Sequence, residues 1–392
     1  MWLKKKRVYL DAVSGVPVSS CVSRAYQTAL QTYGNPSSPH QEGRDAATLL
    51  ATARKTIARV CEAKPDDVVC VASATEANNI AICGVVRAAQ QRLQRTDVHV
   101  LYMPSAHASI VEPMQQLKRQ GVQVEALQVT EGAVDIVALA KQLRPETVLV
   151  SMDRVCGETG VIWDTRAVRH LLDEARPVGS DRIMLHVDAL HAPRIESIER
   201  TRIAGDLITL DAQKVGGVRG AAVLIVSRTV LLEPLFFGGT QERGLAPGTE
   251  NVAALVAFAE ALTQAHTERE AFSVHTQLLR TAILDGVSHI ANVYENTGKE
   301  QAPHILNLSF IGRDTDYLVA LLDAAGFAVS TKSACETDSE EGSRAVQVIT
   351  GDHARASATL RISFTKESTM RDVRRFVRAL VAAVAFLDSH TL

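Results

Sequence analysis

The sequence predicts an α/β protein: a mainly parallel sheet with helices on both faces, joined to a smaller α+β unit. Two observations predict it. Up to about residue 226, short apolar runs alternate with stretches of helical period, the rhythm of βαβ units. Beyond about residue 250, long helical stretches and alternating strands replace that rhythm. The 392 residues suffice for one large domain and a smaller one. With 46% hydrophobic and 22% charged residues the chain reads as an ordinary soluble globular protein.

In chain order, Val8–Val13 reads as a short strand and Cys21–Tyr33 as a helix. A loop dense in turn formers follows, Gly34-Asn35-Pro36-Ser37-Ser38-Pro39-His40, and helical period resumes over 41–64. Val68–Ala72 is a buried strand by composition and runs straight into Ser73-Ala74-Thr75-Glu76. The spacing of Ser73 and Glu76 is that of a capping box, so a helix should start there. Such a helix start offers free N–H groups and partial positive charge, a natural anion site. Strands are then expected at 98–103, 122–129, 147–152 and 183–188, with helices at 111–120 and 165–175.

Asp206–Leu210 and Ala221–Val226 flank Asp211-Ala212-Gln213-Lys214-Val215-Gly216-Gly217, a lysine in a turn between two apolar strands. Burial there would lower the amine's pKa and make it nucleophilic; on the local pattern alone a plain solvated loop lysine is the stronger reading. In doubly wound sheets ligands gather at the C-terminal ends of strands. Ser73–Thr75, His107, Cys156, Asp188 and Lys214 all follow strands and can share one pocket. Further on, helices are expected at 251–270, 272–286, 316–325 and 369–387, and strands at 305–310, 327–330 and 360–364.

Composition excludes several classes. A net charge of −2 leaves no nucleic-acid footprint. Nothing approaches the ~18 apolar residues of a membrane span. Lys4-Lys5-Lys6-Arg7 reads as a solvated tip, because Asp11 interrupts any signal-like apolar run. The six cysteines show neither disulfide nor zinc spacing, so free thiols in a reducing compartment are expected. That fits a cytoplasmic location, with an organelle matrix left open.

These segments, taken in order, resemble the cysteine desulfurases, class V aminotransferase-like enzymes of pyridoxal phosphate (PLP) fold type I. The resemblance covers nearly the whole chain. It rests on Tyr9-Leu10-Asp11, Gly34-Asn35-Pro36-Ser37-Ser38 with His40, Ala74-Thr75-Glu76-Ala77-Asn78-Asn79, His186-Val187-Asp188-Ala189 and Gln213-Lys214. It continues through Gly239-Thr240-Gln241-Glu242-Arg243-Gly244, Gly248-Thr249-Glu250-Asn251, Ser333-Ala334-Cys335 and Arg361-Ile362-Ser363-Phe364. It implies a seven-stranded-type sheet, a large cofactor domain over 15–260, and a small domain built from 1–14 and 261–392.

The resemblance also implies roles. Lys214 is similar to the lysine that holds PLP covalently and moves protons. Asp188 would keep the pyridine nitrogen protonated, and His107 would stack on the ring. Ala74, Thr75 and the amides after them would hold the phosphate. Thr249 would reach the phosphate of a neighbouring subunit, implying a homodimer. Asn35 and Arg361 would grip the carboxylate of L-cysteine, a task suited to the planar fork of arginine. Cys335 matches the thiol that takes the sulfur as a persulfide, with Lys332 or His353 as its basic neighbour. The polar stretch from Cys335 toward Arg361 would carry the persulfide to an acceptor or cluster-scaffold protein.

The departures gather around the cofactor. The family's Ser-x-His-Lys is Asp211-Ala212-Gln213-Lys214 here, and its Asn-Asn-Glu is Cys156-Gly157-Glu158. His191 takes the place of a glutamine. An ionised Asp211 would repel a phosphate by about 1 kcal/mol or more at an effective dielectric near ~20. Two other readings share these residues: a desulfurase-like binding partner without activity, and a PLP lyase or aminotransferase with a changed substrate such as selenocysteine.

Overall fold

The computed structural model describes residues 7–175, 182–331 and 342–390. Its central sheet has seven strands in the order Val68–Val71, Ala222–Val226, Leu207–Asp211, Met184–Asp188, Thr147–Asp153, His99–Tyr102 and Gln123–Ala126. Neighbours are parallel except that Ala222–Val226 runs against both of its partners. No crossover helix separates Leu207–Asp211 from Ala222–Val226, so the chain returns antiparallel. Every residue of Val68–Val71, Leu207–Asp211 and Ala222–Val226 is buried, as a sheet covered on both faces requires.

Helix Ala74–Leu93 begins where Ser73 is expected to cap it: the Ser73 hydroxyl accepts from Glu76 N–H at 3.2 Å. Glu76 reaches one residue further back than a capping box predicts and accepts from Ala72 N–H at 2.8 Å. Glu242, in the Gly239–Gly244 motif, is buried and accepts from Cys70 N–H at 2.7 Å while Arg54 forks onto it. That carboxylate fixes the strand that leads to Thr75.

A second, smaller core gathers around an antiparallel sheet of Val293–Glu295, Ile305–Phe310 and Thr359–Ser363. Phe310, Leu360, Ile362, Phe364 and Phe376 fill it. The expected strand at 8–13 shortens to Val8–Tyr9, paired parallel with Phe327–Ala328, and Asp11 bridges to Ser363. Leu10 is buried in this smaller core and Val13 in the larger one, so the segment crosses between them.

The two helices expected at 251–270 and 272–286 are one helix, Val252–Val287. Its first part buries Phe258 and Leu262 in the larger core, and its last part buries Leu279, Ile283 and Val287 in the smaller. Ala271, a good helix former, carries it through the junction. Helices Ile136–Gln142, Arg344–Thr350 and His353–Ser357 are further elements that periodicity does not reveal. Among the described residues no helix is long and apolar enough to cross a membrane.

Candidate active site

The strand ends converge. Ala74, Thr75, His107, Cys156, Asp188, His191, Asp211, Gln213, Lys214 and Arg361 all line one cavity of about 350 Å³, a volume in the range of small-molecule sites. Asn35 and Thr249 are exposed and lie outside that lining; the Asn35 side chain accepts from Ser37 N–H at 2.9 Å within its own turn. Cys335 and Lys332 fall outside the described residues, and His353 starts a short helix away from the lining.

Lys214 sits in a 3-10 turn that directly follows strand Leu207–Asp211. Gly216 takes a φ of +87°, which a side chain would resist, so the chain can turn back just after the lysine. The Lys214 Nζ donates to the Val13 carbonyl at 2.8 Å. Burial pulls its pKa below the ordinary lysine value, opposed by the nearby Asp211 carboxylate. The solvated-loop alternative therefore does not describe this lysine.

Asp188 ends its strand with both carboxylate oxygens engaged. Oδ2 accepts from Asn78 Nδ2 at 2.9 Å and Oδ1 from Leu190 N–H at 3.1 Å. Burial raises its pKa to about 6 against the lowering effect of those bonds. Asn78 also donates to Ser109 Oγ at 2.9 Å, and Ser109 Oγ lies 2.9 Å from His107 Nδ1. A chain of contacts thus runs from His107 through Ser109 and Asn78 to Asp188. The Ser109 N–H also donates to His107 Nδ1 at 3.1 Å, capping helix Ala108–Arg119. A backbone N–H can only donate, so Nδ1 is the acceptor and the neutral ring carries its proton on Nε2. Burial first, then Lys214 and Arg344, lower the pKa of His107 and favour that neutral form.

Asp153, which the sequence reading did not single out, stands opposite Asp188 in the parallel ladder and lines the same cavity. Its carboxyl is pushed up to about 7, by burial and then by Asp188. The unfolded chain ionises this group near ~4, whereas the fold holds its proton to about pH 7, so ionisation above that range penalises the fold. Asp153→Asn is expected to stabilise the protein by on the order of 2 kcal/mol at about pH 8. The gain should shrink as pH falls from about 7 toward 4. Urea midpoints at the two ends of that range check it.

The departures form two linked sets. Asp211 Oδ2 accepts from Ala74 N–H at 3.3 Å and Oδ1 from Gln213 N–H at 2.9 Å. The carboxylate therefore stands at the head of helix Ala74–Leu93. Cys156 and His191 form the other set. The Cys156 thiol is buried and its pKa is pushed up to about 12, so it is a neutral, weak donor. A Cβ at Gly157 would come within 2.6 Å of His191 Nε2, so the imidazole fills space that only glycine leaves open. His191 is thus accommodated by the change at 157, and burial keeps it neutral.

Arg361 is 3% exposed. Its Nη2 donates to Asp11 Oδ1 at 2.9 Å and Ser14 Oγ at 3.0 Å, and Nη1 reaches the Gly157 carbonyl at 3.3 Å. Its buried Nε–H has no partner among the described residues. Asp11 aims the fork, whose planar shape suits a carboxylate. Asn78, Ser109 and Asp153 were missed as site residues. Asn78 alone had a signal, its position one turn beyond Thr75 in the Ala74–Asn79 motif.

Comparisons with known proteins identify the chain's relatives. The aminotransferase class-V family model matches residues 8–376. The cysteine desulfurase IscS 1 of Archaeoglobus fulgidus is 31% identical over 97% of this chain and 98% of its own. The cysteine desulfurase IscS of Vibrio campbellii is 33% identical over 98% of this chain and 94% of its own. Among solved structures, a NifS-like protein superposes with a TM-score of 0.88 at 26% identity, covering 97% of this chain and 100% of that one. The chain belongs to the class-V aminotransferase family, among its cysteine desulfurases.

Proposed function

We propose that the protein is a PLP-dependent L-cysteine desulfurase that breaks the C–S bond of L-cysteine, releases L-alanine and carries the sulfur as a persulfide on Cys335. The reading extends to a cytoplasmic homodimer, with Thr249 contributing to the partner's site. Its sulfur would serve iron–sulfur clusters or the thiolation of cofactors and tRNA, through an acceptor or cluster-scaffold protein. The observation that carries the reading is the convergence of a buried lysine, a strand-end acid and an aimed arginine on one cavity.

PLP enzymes of this family use the ring as an electron sink. Away from the phosphate, the residues present fit that group. Lys214 is desolvated and reactive, and Asp188, raised to about 6, is braced by Asn78 for a ring nitrogen. His107, neutral with its proton on Nε2, would offer a donor to the cofactor. Thr75 and Gln213, which line the same cavity, would hold the phosphate. Arg361 would bind and orient the substrate carboxylate, with Asp11 keeping the fork from swinging. Lys214 holds and returns the proton at the substrate's reacting carbon. Cys156 is the one cysteine lining the cavity among the described residues, and its neutral thiol is no nucleophile. That supports assigning the sulfur to Cys335.

The test is product analysis with L-cysteine and an excess thiol reductant. Alanine and sulfide should appear in equal amounts. Pyruvate and ammonia in place of alanine would make the protein a lyase, and no product at all would support the non-catalytic alternative.

A further inference from the structure

Helix Ala74–Leu93 opens onto the cavity with few amides to spare. Its first-turn donors divide as follows: Ala74 N–H goes to Asp211 Oδ2 at 3.3 Å and Glu76 N–H to Ser73 Oγ at 3.2 Å. The Thr75 amide is left open among the described residues. The position that attracts an anion is therefore already held by an anion of the chain itself. The other Asp211 oxygen takes Gln213 N–H at 2.9 Å, so the carboxylate is clamped from both sides and does not dangle into the cavity by chance. The side chain is buried, at 6% exposure.

We propose that Asp211 competes with the cofactor's phosphate for the head of this helix, so that capture of the phosphorylated cofactor is coupled to a proton and discriminates little against its unphosphorylated form. The proposal rests on the PLP reading above. Two like charges in one buried cradle cannot both be satisfied by the few donors present. Protonation resolves the conflict, because a neutral Asp211 carries no charge and becomes a donor to the phosphate. The charged groups that face Asp211 are Lys214, which favours its ionised form, and Asp188 on the neighbouring strand, which opposes it. From helix Ala74–Leu93 it meets backbone amide, and from strand Ala222–Val226 its register partner is Ala222, neither of them charged. Burial already raises its pKa, and an arriving phosphate raises it further. Affinity for the phosphorylated form should thus fall as pH rises through the titration of Asp211.

The experiment titrates cofactor-stripped protein with pyridoxal 5'-phosphate and with pyridoxal, reading visible absorbance and quenching of tryptophan fluorescence. It is run at about pH 6 and pH 8 on wild type, Asp211→Asn and Asp211→Ser. The ratio of the two affinities isolates the phosphate, because events at the aldehyde are common to both compounds. In both variants the ratio should shift at least tenfold toward the phosphorylated form. It should change with pH by several-fold more in wild type than in the variants, and calorimetry in two buffers should show the extra proton taken up by wild type. A ratio unchanged in both variants overturns the proposal while leaving the cofactor reading intact. If neither aldehyde binds any of the three proteins, the cofactor reading fails, and the proposal with it.

Discussion

Lys214→Ala should yield a folded, colourless protein whose turnover of L-cysteine is lower by at least ~10⁴-fold. On the proposed reading the lysine would supply two functions at once, the covalent anchor for PLP and the group that moves protons at the substrate carbon, so its loss is not shared out among neighbours. Among the described residues nothing nearby can replace it: Arg361 and Arg344 also line the cavity, but a guanidinium neither loses its proton nor forms the link. The fold should tolerate the change. The Lys214 amine is desolvated, and its removal leaves the Val13 and Ser14 carbonyls, which a water can satisfy. Melting temperatures of the cofactor-free proteins should agree within a few degrees. Normal turnover by the alanine variant would remove Lys214 from the reaction.

Cys335→Ser should keep the visible absorbance of the bound cofactor and lower sulfide release at least ~10³-fold. A serine hydroxyl stays protonated near neutral pH and cannot hold sulfur as a persulfide. Among the described residues Cys156 is the one cysteine lining the cavity, and its thiol, pushed up to about 12 by burial, should not rescue the reaction. Cys61 is equally buried, its thiol also pushed up to about 12, and Cys21, though exposed, lies outside the cavity. The measurement is single-turnover sulfide and alanine, with mass spectrometry of Cys335 after substrate. An undiminished rate in the serine variant would mean sulfur leaves without a protein thiol, as from a simple lyase.

Much of this site is legible in the sequence because it hangs on strand ends. A run such as Val68–Val71 or Leu207–Asp211 announces its own last residue, and the sheet brings those residues together. Contacts between elements are another matter. Asn78 binds Ser109 and Asp188 across two connections, and no local pattern reports that. The Asp211 carboxylate on Ala74 N–H joins segments far apart in the chain. The accommodation of His191 by Gly157 depends on a missing Cβ, which composition cannot locate. Helix Val252–Val287 reads as two because its buried face changes cores partway along, so no single apolar stripe spans its length.

The pairing of Val8–Tyr9 with Phe327–Ala328 has a consequence for biosynthesis. At 5–20 residues per second, the first strand leaves the ribosome roughly 15–60 s before its partner has been made. Val8 and Leu10 are meanwhile uncovered, and Asp11 has no Arg361 to aim. A nascent chain that has completed the seven-stranded sheet at Val226 still lacks Arg361, so the Asp11–Arg361 pair forms only after a long further stretch has been made.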